Sequence, residues 1–382
     1  MVEMRTARIS EVDDFESAIA DIKAQINLST LKKHTGAILF YGWDFYESGM
    51  AQAICNALPF DVMGMTAMGS ASPQGYGYFD LTLAVMTSDE VSFTGGIVTD
   101  IDKNNYEAKI SDLYKRLCDK TTGAPAMIFS FMPLSRGMEG NLLLNAVNKI
   151  SEGIPIWGSL PSSMGFDYST VGVVYNGTHC QKGMAMMFVN GPVTPRFITA
   201  ALPERNISRT RGIITKSEGS VVWEVNDMPV LEYFSYLKME IGANNMHATP
   251  IMVHLPSVPE PMPRAMYLVQ EDGSILLGGN APEGAAISVG NIDTNTIVES
   301  CTQGLAEVIK EKRAAIVMPC ASRSILMAPD QEGEMRLIRE KLNESGIPFL
   351  MGYSNGEISP VLDTEGKLRN HFHNFTFCAC VL

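Results

Sequence analysis

Apolar and polar positions along this 382-residue chain repeat one arrangement three times: an apolar strand, a helix-length segment, a short Pro-led strand ending in Gly, a polar loop and a closing strand. The pattern predicts opening strands at 37–41, 126–131 and 314–318, second strands at 59–64, 155–158 and 348–352, and closing strands at 79–86, 170–175 and 375–382. Recurrence at this level marks a duplicated supersecondary unit, and it directs attention to the loop after each Gly, where the copies differ most.

Between these strands the periodicity turns helical. Phe15, Ile19, Ile22 and Ile26 put an amphipathic helix within 12–31, and further helices are expected at 48–58, 106–118, 140–150 and 229–239. Residues 182–189, 207–214 and 219–225 read as strands, and the five prolines between 245 and 264 read as a connection. Strands at 273–278 and 286–290 with a helix at 297–310 suggest a degenerate fourth copy. The expected fold class is therefore α/β, with two related domains whose mixed β-sheets are flanked by helices and built from repeated β-α-β-β units. The expected division is a helical segment at 1–34 packed on the first domain, then domains at 35–227 and 228–382.

Composition narrows the partners. A hydrophobic fraction of 46% with 19% charged residues fits a folded domain, and no run reaches the roughly 18 apolar residues of a membrane helix. No secretion signal is visible at the N-terminus, and seven scattered cysteines fit reduced thiols, so a cytoplasmic location without membrane insertion is expected. A net charge of -13 without a basic cluster argues against nucleic acid.

Polar chemistry is densest in the last copy. Cys320, Ser322 and Arg323 follow one strand, Glu332 and Glu334 begin a helix, Tyr353, Gly356 and Glu357 follow another strand, and Asn374 and Thr376 enter the last. Strand ends of α/β sheets are where loops converge on a ligand. In one reading Arg323 anchors a carboxylate, Glu357 accepts an ammonium, Asn374 and Tyr353 orient the ligand, and Cys320 and Gly356 complete the wall. In the other, Arg323 and Glu357 form an ion pair between loops and Cys320 is a small buried apolar residue.

Other constellations carry less. His371 and His373, with Cys378 and Cys380, share strand faces but match no usual zinc spacing, so no metal is expected. His179-Cys180 offers axial ligation to haem or is a turn histidine. Gly75-Tyr76-Gly77-Tyr78 leads into a strand, so it is no phosphate loop. No serine sits in a Gly-x-Ser-x-Gly elbow, and no catalytic residue is assigned.

The run Gly352 to Glu357-Ile358-Ser359-Pro360, with His373-Asn374-Phe375-Thr376, Cys320-Ala321-Ser322-Arg323 and Glu334, resembles the C-terminal FIST domain. Val62-Met63-Gly64, and Ile154-Pro155-Ile156-Trp157-Gly158 before Val171 to Gly177, are similar to the N-terminal FIST domain. The resemblance implies an intracellular sensory module that binds small ligands such as amino acids and works with signalling partners; some relatives are haem-binding nitric oxide sensors. Met65 to Ser70 stands where family members often carry a second Gly-Glu loop. With no kinase, cyclase or methyl-accepting segment in the chain, the implied output runs through a separate protein such as a sensor kinase or a chemoreceptor-type partner. The rival expectations are a thiol-dependent hydrolase or transferase using Cys320, and a haem-based nitric oxide sensor.

Overall fold

The structure is a computed structural model of the chain and describes residues 1–135, 138–164, 168–239, 241 and 249–382. Three six-stranded mixed sheets share one plan. In each, two strands run parallel: His34–Tyr41 with Asp61–Thr66, Met127–Phe131 with Ile156–Ser159, and Ala315–Pro319 with Phe349–Gly352. Parallel neighbours need a crossover, and helices supply it: Trp43–Glu47 with Met50–Ala57, then Gly140–Ser151, then Ala321–Leu326 with Gly333–Glu344. An antiparallel strand flanks the first member of each pair (Leu81–Ser88, Met184–Asn190, Phe377–Val381), and an edge strand lies beyond it (Glu3–Ile9, Ser92–Val98, Arg196–Ala200).

The remaining edge of each sheet is filled by another unit. The hairpin Ser70–Ser72/Gly75–Gly77 of the first unit pairs with Phe349–Gly352 of the third. The hairpin Val173–Tyr175/Thr178–Cys180 of the second pairs with Asp61–Thr66 of the first, and Glu357–Leu362/Leu368–His373 of the third pairs with Ile156–Ser159 of the second. This cyclic exchange covers edges that would otherwise expose unpaired backbone, and it ties the three sheets together.

Strand alternation sets the core. Ile38 and Phe40 face a centre shared with Phe129, Trp157, Ile316, Met318 and Leu350 of the other sheets, while Ala37, Leu39 and Tyr41 lie under the first sheet's helices. Strands buried on both faces read as continuous apolar runs, which is why the opening strands stand out in the sequence. The Gly closing each second strand answers to close approach: a Cβ on Gly158 would lie 1.8 Å from the Ser130 carbonyl oxygen, and one on Gly64 2.4 Å from that of Leu39.

Several expectations need correction. The segment at 170–175 does not close the second unit; its strand Val173–Tyr175 is lent to the first sheet, and Met184–Asn190 closes the second. Among the described residues there is no fourth copy. Ile275–Leu277 and Ala286–Val289 belong to an eight-stranded antiparallel sheet, covered by helix Val230–Tyr236, that is inserted between the third unit's edge strand and its helix Thr294–Glu311. Of the prolines at 245–264, Pro263 lies inside the strand Met262–Arg264 and the others flank it and Ile251–His254, with 245–248 outside the described residues. The N-terminal segment is not only helical, since Glu3–Ile9 precedes the helix as an edge strand; adjacent Thr6 and Ala7 are both buried there and blur its alternation. Arg196–Ala200, which precedes the expected boundary at 227, pairs with Phe377–Val381 of the third sheet.

Candidate functional site

A cavity of about 540 Å³ opens beyond the C-terminal ends of the parallel strands of the second and third sheets. Leu134, Ser135 and Glu139 follow the strand Met127–Phe131, and Leu160 follows Ile156–Ser159. Cys320 and Ser322 follow Ala315–Pro319, and Asn355 and Gly356 follow Phe349–Gly352. The inserted sheet closes the remaining side with Ala265, Tyr267, Leu268 and Leu276.

Asn374 fastens the insertion to the third sheet. Its Oδ1 accepts from the Ala265 amide at 3.0 Å, and its Nδ2 donates to the Tyr267 hydroxyl at 3.4 Å. The next residue, Phe375, holds φ at +54°, a left-handed conformation that costs energy in a bulky residue; its carbonyl accepts from Arg323 Nη1 at 3.1 Å. Gly356 has φ +111°, and a Cβ there would lie 2.2 Å from the Phe372 ring, so this wall position admits only glycine.

Cys320 is buried at the cavity wall, with its amide donating to the Thr376 carbonyl. Burial, then the nearby Glu357, push its thiol up to about 12 against the backbone amides of Phe375 and Ser322. At neutral pH it is a thiol rather than the thiolate that nucleophilic chemistry requires.

Three of the six expected site residues, Cys320, Gly356 and Asn374, line this cavity. Arg323, Tyr353 and Glu357 do not. Arg323 lies beneath the third sheet's helices, where Nε donates to Glu334, Nη1 to Ser300 Oγ and the Phe375 carbonyl, and Nη2 to Glu334 Oε1 and the Ile297 carbonyl. All five guanidinium N–H groups are thus engaged, leaving none for a ligand carboxylate. The Tyr353 hydroxyl donates to the same Glu334 at 3.2 Å. The expected loop-to-loop ion pair with Glu357 is replaced by this one.

Glu357 is fully buried behind the wall; its Oε1 accepts from Ser354 Oγ at 2.8 Å, and its Oε2 has no partner among the described residues. Burial pushes the carboxyl well above the usual carboxylate range despite hydrogen bonds from Ser354 and the Gly356 amide. A carboxyl driven toward its neutral form, off the wall, is a poor ammonium acceptor.

The matching corners of the other sheets are occupied by side chains. In the third sheet the Arg323–Glu334 pair and the Tyr78–Ser324 hydrogen bond sit there. In the first, His179 stacks on Tyr46 at 3.7 Å, beside Trp43 and Tyr41. Both His179 ring nitrogens are buried, and burial pushes the ring down to about 4. A ring sealed in this way does not fit axial haem ligation. His371 and His373 lie in the second sheet and Cys378 and Cys380 in the third; among the described residues no cluster of three or more His, Cys, Asp or Glu is placed to hold a metal.

Glu139 and Tyr267 are among the wall residues that sequence reasoning missed. Glu139 directly precedes helix Gly140–Ser151, a position open to reading as a cap, and Tyr267 belongs to the insertion mistaken for a repeat.

Residues 36–228 match the FIST N domain and residues 231–360 the FIST C domain. No curated protein matches the chain. Among solved structures, a crystal structure of chorismatase at 1.08 Å resolution is similar over 100% of this chain and 98% of its own, at 8% identity and a TM-score of 0.39. No helix among the described residues is long and apolar enough to cross a membrane.

Proposed function

The chain belongs to the FIST family, a family of sensory domains, and on that premise we propose that it is a sensor whose ligand occupies the cavity between its N- and C-terminal FIST domains. The ligand is a small, partly apolar metabolite with a polar end, an amino acid or a relative of one. The observation that carries this reading is the origin of the wall: Leu134, Glu139 and Leu160 come from the N-terminal match, and Tyr267, Cys320 and Gly356 from the C-terminal match. A ligand touching both sides favours the arrangement in which they are closest, and that differential affinity is what a sensor requires. The output passes to a separate signalling protein, such as a sensor kinase or a chemoreceptor-type partner, that reads the resulting change.

Thermal-shift screening against amino acids and their derivatives tests the reading, with hits confirmed by calorimetry. Leu276→Trp, which places an indole in the cavity, is expected to abolish binding. A hit that binds Leu276→Trp as well as wild type would move the site elsewhere.

A further inference from the structure

Resting on the cavity assignment above, we infer that the ligand is recognised through an ammonium group held by Glu139, and that its class is primary amines with an apolar body, for which a carboxylate is dispensable. Glu139 is half-buried on the wall and is its one charged side chain among the described lining residues. It occupies the cap position of Gly140–Ser151, where its backbone carbonyl accepts from the Leu142 and Leu143 amides. Its carboxylate makes no capping bond and has no hydrogen bond or ion pair among the described residues. A carboxylate that leaves its helix uncapped and faces a cavity is suited to a charged donor from outside.

The rest of the lining agrees. Tyr168 and Tyr267 add aromatic surface, which attracts cations through the negative ring face. Leu134, Met138, Leu160 and Leu276 suit an apolar body. Among the described residues no arginine lines the wall: Arg323 is saturated by Glu334 and its neighbours, and Arg264, fully buried, donates to the Phe372 and Asn280 carbonyls. The net charge of -13 draws cations toward the protein as a whole.

Calorimetry with three compounds sharing one body, phenethylamine, phenylalanine and 3-phenylpropanoate, tests this on the full chain. Phenethylamine and phenylalanine are expected to bind and 3-phenylpropanoate is not. Glu139→Gln, which keeps shape and removes charge, should weaken phenethylamine about ten- to hundredfold, and Glu139→Asp less. Preference for 3-phenylpropanoate, no binding of phenethylamine, or an unchanged affinity in Glu139→Gln would overturn the inference. Loss of binding in Leu276→Trp together with no effect of Glu139→Gln would leave the cavity standing and remove only the ammonium; undiminished binding in Leu276→Trp would remove the cavity assignment itself.

Discussion

Arg323 and Glu334 form a closed ion pair, Nη2 to Oε1 at 2.6 Å, with each side chain only 1% exposed. Burial alone would lower the guanidinium pKa, but the Glu334 charge and hydrogen bonds outweigh it and hold Arg323 firmly protonated. Sequence places Arg323 in the right motif, and the fold gives it to the scaffold.

Removing one partner therefore strands a buried charge. Arg323→Ala is expected to lower stability by about 3–5 kcal/mol in urea unfolding, as is Glu334→Ala. The paired change Arg323→Met with Glu334→Leu should cost much less than the sum of the two single changes. Strict additivity would show that the two side chains do not act as a pair.

Acid should weaken the fold through its histidines. Burial pushes His179 and His371 down to about 4 and His373 to about 3, with Arg264 also acting against charge on the latter two. The unfolded chain takes up these protons near pH 6.5, so between there and about pH 4 it holds more protons than the folded one. Stability is present in full above that interval and falls as pH drops through it. Melting temperatures taken from pH 7.5 to 4 should decline most steeply below about 6.5, and replacing His373 with Gln should flatten the slope. A flat profile in wild type would contradict this account.

Gly158→Ala tests the packing of the repeat. Its Cβ would lie 1.8 Å from the Ser130 carbonyl oxygen, on a parallel neighbour whose backbone has no room to retreat. A loss of at least about 2 kcal/mol is expected in chemical denaturation, whereas Gly153→Ala, where nothing lies within 4 Å of the Cβ and only the left-handed φ of +84° opposes a side chain, should cost less, about 1 kcal/mol. Equal effects would contradict the close approach.

Cys320 should be chemically quiet. Its thiol is buried and pushed up to about 12, whereas Cys118 is exposed. Iodoacetamide at pH 7.5 followed by peptide mapping should label Cys118 well before Cys320. Preferential labelling of Cys320 would revive the thiol-dependent reading.

Much of the scaffold was legible because burial on two faces writes itself as an apolar run: all three opening strands, and the closing strands Leu81–Ser88 and Phe377–Val381, fall where the pattern puts them. The hairpin exchange was not, because Val173 pairs with Met65 across more than a hundred residues and nothing local records that choice. The same limit governs the site. Gly356 and Asn374, singled out by their motif, line the cavity, but the sequence shows that Arg323 carries a charge without showing that Glu334, rather than Glu357 or a ligand, meets it. Glu139 and Tyr267 belong to no motif and become a wall only when the second unit and the insertion are brought together.

The central claim is that one small ligand bridges both FIST domains. Hydrogen exchange of the full chain with and without saturating phenethylamine tests it most directly. The account predicts slowed exchange both at the start of helix Gly140–Ser151 and across Met266–Val269 and Ile275–Leu277 of the insertion, with both effects absent in Leu276→Trp. Protection confined to one side, or persisting in Leu276→Trp, would contradict it.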